Sequence, residues 1–350
     1  MESLAVTEPV VVEHRPPQPS AGAPSSTGVG RPARPRLSLV RRIGRRRLRT
    51  LLRRGPLVLA LAAVLYYGPL GLSYHRIDDS PAFTPSVAIP GGSQAVNMAA
   101  GLMHREVNAN PWLANDPWFA PNAFLDNTPN YQLGISRAVG RFSFEMLDQL
   151  SRRRGSSSMD RDLERATGFL QYPGDIWVFN FEQSWLPAVS SEDQYRAGLS
   201  ALLAYNDRVA RGQAVFERRA DTFAATLSRI SADIGSETAQ LQEQVTTKGW
   251  WIFSMKADDV FYRNKGMLYA YALILEGLGQ DFADLIAQRG LTTVWEQALA
   301  SLRAASQVHP LVVVNGVGDD SIFANHLLLQ GFYMKRAILQ LEEVVSVTAV

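Results

Sequence analysis

Apolar residues fall along this chain in distinct regimes, and each predicts a different kind of element. Between Gly55 and Tyr74 no residue is charged and nearly all are apolar. At about 1.5 Å rise per residue the run spans about 30 Å, the thickness of a bilayer's hydrocarbon core, which predicts one transmembrane helix over 55–74. Pro56 falls where a helix start tolerates a missing N–H, whereas Gly68 and Pro69 threaten to kink the helix or end it early. Before it, residues 1–54 mix Pro, Ser, Gly and Arg without apolar period and read as a disordered tail. After it, Pro81, Pro85, Pro90, Gly91 and Gly92 make 75–92 read as a tether holding the next domain off the membrane.

From residue 93 the period becomes helical. Ser93 caps a helix through Val107, with Val96, Ala100, Met103 and Val107 on one face. Asn130 caps the next, where Ile135, Val139, Phe142, Met146 and Leu150 line one stripe. A shorter helix is expected over Asp160–Leu170, and further ones near 258–278, 281–288 and 293–306, the last capped by Thr292. Gly277 and Gly279 read as the end of the first of these three. Leu311–Val314 is strand-like but lacks a partner, so it reads as an extended loop. Asn325 then caps a final helix running nearly to the end.

Seven-residue spacing is strongest after Ser191-Glu192-Asp193-Gln194, which reads as a capping box. Tyr195, Leu202, Val209, Phe216, Phe223 and Ile230 predict one long helix to a stop at Gly235. Its companion seam of Leu199, Asn206, Gln213, Ala220, Leu227 and Ile234 is polar in the middle, where Gly212 offers a break. This stripe reads as core packed on helices of the same chain, with an intermolecular coiled coil as the alternative. Two stretches fit no period. Residues 109–130 and 171–187 are too proline-rich for helices and too aromatic for exposed coil, and are expected to wrap the domain. The fold class is all-α: one N-terminal transmembrane helix, then a multi-helix bundle over 93–350 with irregular aromatic loops.

Charge is uneven. Of 35 basic and 33 acidic residues, 12 Arg lie in 1–75 against Glu2, Glu8 and Glu13, so the domain beyond is acidic. An acidic domain argues against nucleic-acid binding, because phosphate contacts need a basic face. Arginines crowd Arg31–Arg54 with no acid among them, and the positive-inside rule then puts the tail in the cytoplasm and the domain on the outward face of the membrane. Arg45, Arg46, Arg47, Arg49, Arg53 and Arg54 are expected on the anionic lipid surface. A cleavable signal is disfavoured by the long n-region and by the lack of an A-x-A site after the apolar run. The absence of cysteine excludes disulfides, thiolate metal sites and a cysteine nucleophile.

Several segments together resemble a proteobacterial family of membrane-anchored proteins catalogued as domain of unknown function 2333. They are Asn115–Phe119, Phe124–Asn130, Arg154–Ser157, Tyr172–Asp175, Phe216–Asp221, Ala257–Tyr262 and Asn325-His326. The resemblance implies an inner-membrane anchor followed by a helical domain. It implies no activity and assigns no functional residue.

The familiar catalytic signatures are missing: no P-loop, no dinucleotide glycine fingerprint, no H-E-x-x-H and no G-x-S-x-G. No cofactor is expected. Histidines beyond the anchor are few and scattered, so no metal site is expected either. Asp258-Asp259 at a helix start reads first as capping acids. The catalytic reading pairs one with a second acid, Asp126 or Glu217, for glycoside hydrolysis. His326 near Asp319-Asp320 offers a base beside acids, against a plain helix cap. Glu217, Arg218, Arg219 and Asp221 read as an ion-pair network in mid-helix. Trp118, Trp177 and Trp185 are candidates to line a groove for sugar or peptide, with loop anchoring as the alternative. The reading that results is a cell-envelope binding module rather than an enzyme. Its partners would be the lipid bilayer and an envelope protein or cell-wall polymer, and a periplasmic hydrolase working through its acids is the rival.

Overall fold

A computed structural model describes residues 53–154, 159–179, 185–246, 255–310 and 326–349. Their regular elements are all helices, with no strand among the described residues. The chain divides into two units, Met1–Val58 and Leu59–Val350. Residues 1–52, the strand-like run 311–314, Asp319-Asp320, the Asn325 cap, Trp250 and Trp251 lie outside the described residues.

Helix α1, Arg53–Tyr74, is long and apolar enough to cross a membrane, and only 6% of its apolar window is buried. Pro69 neither ends nor breaks it. Instead Tyr66–Leu70 widens into a π-turn that absorbs the missing N–H, and helix resumes at Gly71. Residues 75–92, expected as a spacer, are docked on the domain. Tyr131 Oη donates to the Asp78 carbonyl at 2.7 Å, and Tyr269 Oη to that of Ser80 at 2.9 Å. Asp79 accepts from Lys265 Nζ at 2.6 Å, and Phe83 and Val87 pack on the core. Proline and glycine here shape a path along a surface, where sequence alone reads them as slack.

The domain is built around α7, Met255–Asp281. From Met267 to Leu275 every residue of it is buried, so this stretch has no solvent face and its neighbours surround it. Those neighbours are α2 (Gln94–His104), α3 (Asn127–Arg154), α6 (Ala220–Thr246) and α9 (Thr292–Ser306). Gly277, expected near a helix end, lies inside α7. A Cβ there would meet the Ala95 nitrogen at 2.6 Å, so its bareness lets α2 begin against it. Asp281, at the end of α7, caps α2 by accepting from the Gln94 and Ala95 amides, each at 3.0 Å.

The expected long helix over 191–235 is two helices. α5 spans Ser191–Ala210 and α6 follows after a loop. Gly212, at φ +71°, closes α5 with a bond from the Gln213 amide to the Arg208 carbonyl, the left-handed ending that favours glycine. Asn206, a polar position in the seam, is buried and clamps α2 through Ser93 and Asn97. The cap of α5 is Ser190, one residue before the expected box, because Ser191 Oγ is taken by Pro173 and Ile176. α6 runs through Gly235 to Thr246, and Arg218, Arg219 and Glu217 sit in the loop before it, where Arg218 reaches Asp281. Leu291, not Thr292, stands at the cap of α9. α4 (Arg161–Leu170), capped by Asp160, lies against α5, the short α8 (Ala283–Gln288) precedes α9, and α10 (His326–Thr348) closes the bundle on α6 and α9.

Candidate functional site

α3 begins earlier than its sequence suggests. The Asn130 amide donates to the Asp126 carbonyl at 2.9 Å, so Asp126 stands at the start of the helix and the Asn130 side chain is released for other work. That side chain donates to Asp259 Oδ1 at 2.8 Å on α7 and accepts from Arg263 Nη2 at 2.9 Å. The crossing is close because two glycines face backbone: a Cβ on Gly134 would lie 2.1 Å from the Arg263 carbonyl, and one on Gly266 2.0 Å from that of Tyr131. The start of α3 and the first turns of α7 are thereby pressed together, and Asp126, Asp258 and Asp259 form one half-buried cluster.

Electrostatics there are unfavourable to full ionisation. Burial, then the charges of Asp126 and Asp259, push the Asp258 carboxyl up to about 6. Asp259 is raised by burial and by Asp126, close enough to hydrogen-bond it, while Arg263 and Asn130 pull the other way. Asn127, with its amide turned to donate, reaches Asp258 Oδ2 at 2.5 Å. Two carboxylates in direct contact leave no room for a sugar between them, whereas glycoside hydrolysis needs roughly 5 Å or more. His326 opens α10, and no hydrogen bond or ion pair joins it to these acids among the described residues.

Beyond Arg263 the same two helices border an open cleft of about 600 Å³. Arg137 and Arg141, one turn apart on α3, line it with Arg263, and Ser136, Phe144, Tyr172 and Asp175 complete the wall. Arg137 pairs with Glu237 at 2.6 Å. Arg141 has no ionic partner among the described residues, and Arg263 Nε is buried without a hydrogen bond there. A relay therefore runs from the acids through Asn130 to a cationic cleft. Sequence reading missed these arginines. Their signal was Arg137 and Arg141 at a four-residue spacing on the polar side of α3, but Arg263 comes from another helix and nothing in its surroundings marks it.

The tryptophan candidates line no part of this cleft. Trp118, Phe119, Trp177 and Phe179 instead form an edge-to-face series with ring centres 5.7, 5.8 and 5.4 Å apart. Trp118 and Trp185 are exposed. The loop anchor is Trp112, buried against Tyr195 and donating to the Gly174 carbonyl at 2.9 Å. Arg53 and Arg54 are exposed at the start of α1; Arg45, Arg46, Arg47 and Arg49 lie outside the described residues.

Fold and site define an all-helical domain, following one apolar helix, with an acid cluster joined to a cationic cleft. The chain belongs to the bacterial family described as "uncharacterized protein conserved in bacteria", domain of unknown function 2333, whose model matches residues 87–250 and 236–347. Neither a search of curated proteins nor one of solved structures returned a match.

Proposed function

We propose that this is a single-pass inner-membrane protein whose helical domain faces the periplasm and binds the anionic groups of a cell-wall polymer without transforming it. The observation that carries this is the arginine cleft. A guanidinium presents a planar fork matched to carboxylate or phosphate, and Arg141 faces the cleft with no ionic partner among the described residues. Tyr172 and Phe144 add flat faces suited to sugar or peptide. On the other side of the bilayer, Arg45, Arg46, Arg47, Arg49, Arg53 and Arg54 sit on anionic lipid, each contributing about 1 kcal/mol.

Titration calorimetry of the full chain with soluble wall fragments bearing free carboxylates tests the cleft. Arg141→Glu is expected to weaken binding at least tenfold, roughly 1.4 kcal/mol, and equal affinity in wild type and variant would reject the site. A reporter active only in the periplasm, fused after Val350, is expected to give signal, and activity of a cytosol-only reporter instead would reject the orientation. One observation favours hydrolysis as a second reading. Asp258, holding its proton to about pH 6, has the character of a general acid. Amines released from peptide bonds of the same fragments, and lost in Asp258→Asn, would support it.

A further inference from the structure

The exposed aromatic loops lie beside the last turns of α1. Tyr66 Oη donates to the Phe119 carbonyl at 3.1 Å, and the rings of Tyr67 and Phe124 meet at 4.9 Å. Gly71 is buried, and a Cβ on it would come within 2.4 Å of the Pro121 carbonyl. The loop 117–125 thus packs along two turns of an apolar helix while turning its own large side chains outward. Trp118 is 81% exposed and Phe124 75%.

Composition and backbone suit the same surroundings. Residues 117–125, 176–179 and 185–189 contain no charge. The Ala120, Ala123 and Leu125 amides of the first loop close short turns, and Pro117 and Pro121 bring no N–H at all, so five of its nine residues leave no amide unpaired. The second and third segments are joined by a bond from the Ala188 amide to the Val178 carbonyl at 2.7 Å. The Phe119–Trp177 contact at 5.8 Å unites the first two into one aromatic face.

We infer that this face is a membrane foot: an aromatic surface seated in the interfacial layer of the bilayer that α1 crosses, holding the domain against the lipid. The inference rests on the reading of α1 as a span. Tyr67 lies seven residues before Tyr74, about 10 Å down the helix, so if Tyr74 marks the far boundary then Phe124, touching Tyr67, sits at acyl-chain depth. Tryptophan and tyrosine concentrate at this level because their rings are apolar and their edges polar. A protein partner would have to reach the same surface through the headgroups.

The test uses the full chain reconstituted into phosphatidylcholine vesicles with brominated acyl chains, and reads tryptophan quenching together with flotation. α1 contains no tryptophan, so quenching reports on the domain. Wild type is expected to float and to be quenched, and Trp118→Phe, a mild change at an exposed site, to float with much of the quenching lost. A second variant, Phe124→Lys, is expected to float with reduced quenching. Flotation with quenching that neither substitution alters would overturn the foot while leaving the anchor. A chain that does not float would overturn the span, and the foot with it.

Discussion

At Asp258 one carboxyl couples position to pH. Its folded pKa of about 6 lies above the ordinary value of an unfolded aspartate, near 3.9, so between these values the folded state keeps a proton that the unfolded state has lost. Stability therefore falls as pH rises through that window, and the cost persists above it. Asp258→Asn removes the charge while its oxygen still accepts from Asn127. Because the carboxyl is half exposed and water screens part of the repulsion, the gain at pH 7.5 is about 1 kcal/mol, or roughly 2–4 °C in Tm. Thermal unfolding at pH 4 and pH 7.5 checks this, since an equal effect at both would remove the electrostatic explanation. Asp258 and Asp259 were visible in sequence as acids at a helix start, with Asp126 or Glu217 as the acid to pair with one of them. That they meet, and that Asn130 bridges rather than caps, follows from the crossing of α3 and α7, 129 residues apart at the Asn130–Asp259 bond.

Between elements, the closest approach is made by absent side chains. Gly134 and Gly266 face carbonyl oxygens at distances no Cβ tolerates, so neither neighbour can yield without moving a helix. Gly134→Ala is expected to cost 3 kcal/mol or more, measured by chemical unfolding, and to detach Asn130 from Asp259. A loss below 1 kcal/mol would mean that the helices separate freely. Such glycines look in sequence like weak points of a helix, and Gly277 was read as its end. Burial, not propensity, explains them. The same competition divided the seven-residue repeat: the repeat held on both sides of Gly212, but Asn206 was worth more as a clamp on α2 than as a member of a continuous seam.

At the scale of the whole molecule, docking of residues 76–92 joins α1 to the bundle. Asp78, Asp79 and Ser80 are bonded by Arg105, Lys265, Tyr131 and Tyr269. Chymotrypsin is expected to spare the bond after Phe83 in the detergent-solubilised native protein and to cut it after unfolding; rapid native cleavage there would restore a free tether. What the sequence determined by itself is whatever depends on near neighbours: the uncharged run of α1 after its arginines, the amphipathic stripe of α3, the Ser93 cap, and the all-helical class. These follow from hydrogen bonding and burial that repeat every three or four residues. The arginine cleft, the joined acids, the docked segment and the exposed aromatic face were decided by tertiary structure, because each is assembled from helices and loops distant in the chain, where no local period records which side chains will meet.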